Sequence, residues 1–336
     1  MSKLDWKSWL RIAFGVFFAL AVLCCLAGIM LSGPVIVRTT PLELERNVSA
    51  ERLQATVQRL CSDFHPRDYR SPDKLEQAAG WIAEEFRAAG LEVELQPYEL
   101  REGRFLNVIG LQRGSHPELP VVIVGAHYDA YGGFPGANDN ASGVAVLLEL
   151  VRSLPAGQSQ ADRYFVAFST EEPPFFSTED MGSFRFARLL QERETKIDLM
   201  IALDVVGYYS DEENSQGFPI RGLGLLYPDT ADFVAVVGDL GSGPWIAKIK
   251  RAMLSTGALP VYSFRAPTFI PGVDWSDHIS FRRLGMPGVM VTDTAFARYE
   301  HYHTRNDTPE KLDYLRMAQL VHALHGVLWE DPSRVE

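Results

Sequence analysis

The chain has 336 residues, 46% of them hydrophobic and 22% charged, proportions that exclude a disordered, collagenous or cysteine-stapled protein. Lys and Arg number 32 against 43 Asp and Glu, a formal charge of −11. An acid excess of that size excludes nucleic acid as the main partner, because phosphate binding needs a basic footprint.

The excess is uneven. Lys3, Lys7 and Arg11 against Asp5 make residues 1–37 net +2 and leave −13 on the rest. Ile12 to Val37 carries no charge, and Ile12 to Leu31 is almost wholly apolar. Twenty such residues in a helix rise about 30 Å, the thickness of a bilayer core. The run is longer than the roughly 7–15 residues of a signal peptide's apolar region, and no Ala-x-Ala cleavage site follows it. The expectation is an uncleaved anchor, with its basic flank cytoplasmic and the rest of the chain extracytoplasmic. Of three cysteines, Cys24 and Cys25 lie inside the run. Cys61 is alone outside it, so no intrachain disulfide or Cys-based metal site can form there.

The expected domains are therefore a cytoplasmic flank and anchor (1–37), a stalk (38–50) and one folded domain (51–336). Leu75, Ala78, Ala79, Ile82 and Phe86 recur at helical spacing up to Gly90. Leu91–Leu100 alternates as a strand, with Phe105–Leu111 as its hairpin partner. Pro120–Ala126 is a continuous apolar run, as in a central strand covered on both faces. Helix Gly143–Leu154, strand Tyr164–Ser169, helix Met181–Glu192 and strand Leu199–Val206 follow, then a Gly-rich irregular excursion over Tyr208–Asp232. Met286–Thr292 reads as a strand. Thr308-Pro309-Glu310 reads as the capped start of a last helix. Strands alternating with helices imply an α/β fold of three layers, αβα, around a mixed, mostly parallel sheet.

In such sheets reactive groups collect at the carboxyl ends of strands. The first apolar strand ends in Gly125-Ala126-His127-Tyr128-Asp129. His127 and Asp129 share a face in extended backbone, and a carboxylate there can accept the second N–H of a metal-bound imidazole. Asp139 lies in the small-residue loop Gly136–Gly143, and taken alone its default reading is a helix cap. Glu171 and Glu172 follow the next strand, where adjacent carboxylates repel unless a cation or proton is shared. Asp204 is an acid among aliphatics, and His301 and His303 precede the last helix. Each has an ordinary reading alone. Together, two histidines and three carboxylates at successive strand ends suit a nitrogen- and oxygen-ligated cation cluster, and five ligands suit two ions better than one.

The ordered series Gly-Ala-His127-Tyr-Asp129, Gly-Ala-Asn-Asp139-Asn-Ala-Ser-Gly, Glu171-Glu172, Leu-Asp204-Val-Val-Gly, Ser276-Asp277-His278 and Tyr302-His303-Thr304 resembles the M28 family of co-catalytic zinc metallopeptidases over roughly residues 50–330. The resemblance implies that Asp139 bridges two zinc ions, with His127 and Asp204 completing one site and Glu172 and His303 the other. It implies Glu171 as general base and a cis peptide after Asp139; Asp129, placed to accept the second N–H of His127, is the other catalytic candidate. His278, Asp277 and Tyr262 are the candidates for oxyanion or supporting roles. Pro173–Asp180 is longer than the family's usual connection to its Gly-Ser turn, which unsettles the usual substrate preferences. The implied activity is removal of N-terminal residues from peptides or small amides with a free amino terminus. Two alternatives stand beside it: a single-zinc glutaminyl cyclase on the same scaffold, and a non-catalytic binding ectodomain.

Overall fold

The computed structural model describes residues 6–38, 48–154 and 159–328. The expected stalk lies mostly outside these residues. Helix α1 (Trp6–Ser32) contains the apolar run, and its stretch Ile12–Ser32 is long and apolar enough to cross a membrane and almost entirely exposed.

Behind it, α2 (Ala50–Ser62) starts at Ser49, whose hydroxyl accepts from the Arg52 N–H. The periodicity of its buried Leu53, Val57 and Leu60 was not anticipated from the sequence. α3 (Pro72–Ala88) buries the predicted Leu75, Ala78, Ala79, Ile82 and Phe86. Strands β1 (Glu92–Leu100) and β2 (Gly103–Gln112) form the expected hairpin, with Leu100 opposite Gly103. β3 (Val121–His127), α4 (Gly143–Ser153), β4 (Arg163–Phe168), α5 (Gly182–Glu192) and β5 (Ile197–Leu203) follow in the expected order.

Beyond the irregular excursion come β6 (Val234–Gly238), α6 (Gly243–Ser255), β7 (Val261–Arg265) and the short α7 (His278–Arg283), none of which the sequence reading resolved. β8 (Val289–Thr292) and α8 (Tyr314–Leu328) complete the fold. The last helix begins later than expected. Pro309–Lys311 makes one 3₁₀ turn, Leu312 is extended, and the chain restarts with the Asp313 carboxylate accepting from the Arg316 N–H at 2.9 Å.

The eight strands form one sheet in the order β1-β2-β4-β3-β5-β8-β6-β7. The central strands β4, β3, β5 and β8 are mutually parallel, and β1, β2 and β6 supply the antiparallel pairings. Side chains alternate across β3: Val124 and Ala126 pack with α2, α3, α4, α6 and α8, whereas Val121 and Ile123 pack with α5 and α7. Burial on both faces explains why this strand is an unbroken apolar run. Because four neighbouring strands run the same way, their carboxyl ends open on one edge, and the loops carrying His127, Glu171, Asp204 and Asp293 leave from it.

Candidate metal centre

At this edge the predicted side chains converge. His127 Nε2 lies 3.3 Å from Asp139 Oδ1, 3.5 Å from Asp204 Oδ1 and 3.9 Å from Glu171 Oε2. His303 Nε2 lies 2.8 Å from Asp139 Oδ2 and 3.5 Å from Glu172 Oε2. The two oxygens of Asp139 thus face two different imidazoles. Donor atoms of His127, Asp139 and Asp204 lie within 4.8 Å of one another, as do those of Asp139, Glu172 and His303. A third grouping, His127 with Glu171 and Glu172, is equally compact.

All of these groups except His303 are buried. Burial, then the charges of neighbouring carboxylates, pushes both Glu171 and Glu172 well above the usual carboxylate range. Burial opposes ionisation of Asp139 too, but hydrogen bonding to His127 and His303 outweighs it and holds this carboxyl low. Burial also disfavours a charged His127, yet Glu171 and Asp204 drive its imidazole upward. Among the described residues no lysine or arginine pairs with Asp139, Glu171, Glu172 or Asp204, which face only the two imidazoles. Glu172 Oε1 is buried without a hydrogen-bond partner. A site of crowded acids and imidazoles with an orphaned carboxylate oxygen fits divalent cations with nitrogen and oxygen ligands.

Supporting groups fix each ligand loop. The Asp129 carboxylate accepts from the backbone N–H of Glu171 at 3.2 Å and of Glu172 at 3.1 Å, and its Oδ1 stands 3.3 Å from His127 Nδ1. The Asp139–Asn140 peptide is cis, as the resemblance implied. Asp307 accepts from the backbone N–H of Asn138 (2.8 Å) and Asp139 (3.0 Å) and from the Tyr299 hydroxyl. Asp293 accepts from Asn138 Nδ2 and from the Tyr208 and Ala295 N–H groups. Arg67, fully buried, donates to the carbonyls of Leu60, Tyr128 and Gly136. At Gly136 a side chain is excluded, since φ is +60° and a Cβ would lie 2.4 Å from the Asp139 carbonyl.

Three ligand loops contain a left-handed residue other than glycine: Thr170 before the glutamates, Val205 after Asp204, and His303 itself. For β-branched Thr and Val this conformation is costly and persists only where surroundings dictate it. Here they do: Val205 donates to Asn140 Oδ1, and its carbonyl accepts from the Asp293 N–H and the Thr292 hydroxyl. His303 is sandwiched between Tyr131 (4.1 Å between centroids, 1° between planes) and Tyr302 (3.9 Å, 16°).

The remaining candidates divide. Asp277 is buried and pushed up to about 7 by its burial, with both oxygens unpartnered. His278, pushed down to about 4 by burial, places Nε2 2.9 Å from the Val273 carbonyl. Tyr262 belongs to β7 and lines an apolar pocket of about 100 Å³ with Phe218, Phe233, Trp275, Phe296 and Tyr302; the pocket reaches Asp204. Asp293, Asp307, Arg67, Tyr131 and Tyr302 were not singled out from the sequence as site residues. Asp293 carried the same signal as Asp204, an acid closing an apolar strand.

A buried His/Asp/Glu cluster at the carboxyl ends of parallel strands is the arrangement expected of a metal-dependent hydrolase. The model of peptidase family M28 matches residues 107–327, and the chain belongs to that family of zinc metallopeptidases. It is 39% identical to the uncharacterized protein YfbL of Escherichia coli K12 over 292 residues, covering 84% of this chain and 89% of the relative. Probable leucine aminopeptidase 1 of Trichophyton verrucosum is 27% identical, covering 84% and 74%. Among solved structures, the Bacillus subtilis zinc aminopeptidase BSAP superposes with a TM-score of 0.68 at 16% identity, covering 87% and 98%. A Fimbriiglobus ruber glutaminyl cyclase superposes with a TM-score of 0.61 at 20% identity, covering 88% and 98%. At these identities the two structures establish the shared fold alone. The chain is a peptidase, a hydrolase acting on peptide bonds.

Proposed function

We propose that the protein is an aminopeptidase using two divalent ions, zinc by the chemistry of its donors. His127 and Asp204 would hold one ion, Glu172 and His303 the other, and Asp139 both. The observation that carries this reading is the placement of the two Asp139 oxygens toward two different histidines. Dividing the ligands this way uses all five side chains and leaves Glu171 unengaged. The grouping of His127 with Glu171 and Glu172 would leave Asp139 and Asp204 without a cation. Bound there, the ions would supply Lewis acidity and an acidified water.

Glu171, held by Asp129 through its backbone N–H, would accept a proton at its carboxylate and return it to the departing amine nitrogen. The buried acids would favour a substrate's free α-ammonium. The apolar pocket beside Asp204 would take the first side chain, aliphatic or aromatic. Asp277 and His278 would brace the cluster. Helix α1 would remain as a membrane anchor, with the N-terminus cytoplasmic and the catalytic domain extracytoplasmic. Intact mass of membrane-extracted protein tests its retention.

The deciding experiment measures metal content and turnover of aminoacyl anilides by the full chain and by Glu171→Gln. The expected result is two ions per chain in both, loss of activity on chelation, and a 10²–10⁴-fold fall in kcat for Glu171→Gln. Near-normal turnover of that variant refutes the base assignment. One ion per chain with cyclisation of N-terminal glutamine selects the glutaminyl cyclase alternative, and metal binding without turnover of either substrate class selects the binding ectodomain.

A further inference from the structure

The end of the apolar helix is fastened to the catalytic domain. Ser263 of β7 donates its hydroxyl to the Ser32 carbonyl at 2.7 Å, and Lys250 of α6 donates Nζ to the carbonyls of Ser32 (3.0 Å) and Gly33 (3.3 Å) and to Ser263 Oγ (3.2 Å). These bonds satisfy carbonyls that a helix C-terminus leaves without partners and set a cation at its negative end. A second contact lies deeper. Gly28 is buried against Leu226, a Cβ at that glycine falling 3.3 Å from Leu226 Cδ2. Gly28 precedes Ser32 by four residues, about 6 Å along the helix axis toward its apolar middle.

The span offers little slack. Its 21 residues, Ile12–Ser32, rise about 31 Å, close to the hydrocarbon thickness, so Gly28 and whatever packs on it lie at or inside the apolar boundary. What packs there is apolar: Leu226 is 44% exposed and its neighbour Leu225 is 90% exposed. Leu223 and Tyr227, on either side of them, line the pocket that reaches Asp204. Lys250, at the level of Ser32, suits the headgroup zone just above.

We propose that the segment Ile220–Tyr227, one wall of the catalytic pocket, dips into the outer boundary of the phospholipid bilayer that α1 spans, so that the pocket opens beside the membrane surface. The partner is the lipid bilayer itself, held by exposed leucines and a fixed helix rather than by net charge. The proposal rests on α1 being retained as an anchor.

Its test uses the full chain in phospholipid nanodiscs with a photoreactive p-benzoylphenylalanine replacing Leu225, and a control replacing Glu102 in the exposed turn of the β1–β2 hairpin, at the opposite edge of the sheet from β7. The expected yield of phospholipid adduct, read by mass, is at least about tenfold higher at 225 than at 102. Equal yields with an intact N-terminus overturn the proposal alone. A mature chain lacking α1 overturns the anchor and this proposal with it. Preferential adduct at 225 from a chain that hydrolyses no soluble aminoacyl anilide sustains the membrane contact and refutes the aminopeptidase reading instead.

Discussion

His303 is the most exposed of the proposed ligands, with 26% of its side chain open to solvent, and it depends on its neighbours for orientation. A left-handed backbone aims it at Asp139, and the Tyr131 and Tyr302 rings clamp its imidazole from both faces. Two separate changes divide coordination from orientation. His303→Ala should lower metal content from two ions toward one and abolish most turnover. Tyr131→Ala leaves the ligand in place but frees its ring. It should weaken metal affinity by about 10–100-fold while full occupancy at excess zinc restores most of kcat. Zinc titration followed by kinetics at saturating metal reads both. An unchanged affinity in Tyr131→Ala would show that the stacking does not hold the ligand.

Among the elements, the loops at the ends of β3, β4 and β5 announced themselves because each sets an acid or imidazole directly after an apolar strand, a placement that is costly without a cation. The scaffold behind them was less legible. β6 and β7 have five residues each, and β7 carries Ser263 and Arg265 among its apolar residues, so neither shows a long period. The six-residue α7 is fixed by tertiary contacts rather than propensity. Thr308-Pro309-Glu310 has the chemistry of a helix start, yet it opens one 3₁₀ turn, because Leu312 extends to bury against the core before Asp313 caps α8 at Tyr314. Nothing in the sequence marks Arg67 as special, since its partners are carbonyls brought together only by folding. Those partners tie α2, the exit of β3 and the Asp139 loop to one guanidinium. Arg67→Ala strands three buried acceptors and should destabilise the fold by about 2–4 kcal/mol. Denaturant midpoints measure it, and a change under about 0.5 kcal/mol would mean that water replaces the side chain.

At the scale of the whole molecule, the net charge of −13 carried by the residues beyond 37 has a kinetic consequence. Two divalent ions in the site would reduce it only to about −9, so an acidic field persists around a cleft whose proposed substrates carry a positive α-ammonium. Such a field concentrates cations near the cleft, and salt screens it over about 10 Å at 0.1 M. Capture should therefore weaken as salt rises, while chemistry inside the buried cluster, shielded from mobile ions, should not. Raising ionic strength from about 0.02 to about 0.5 M should lower kcat/KM for an aminoacyl anilide several-fold, mostly through KM, with kcat nearly constant. A substrate that also bears a carboxylate side chain is net neutral and should show little salt dependence, because the long-range field has no net charge to attract. Salt-independent kcat/KM for both substrates would place the attraction entirely in short-range contacts with the buried acids and leave the long-range field without a role in capture.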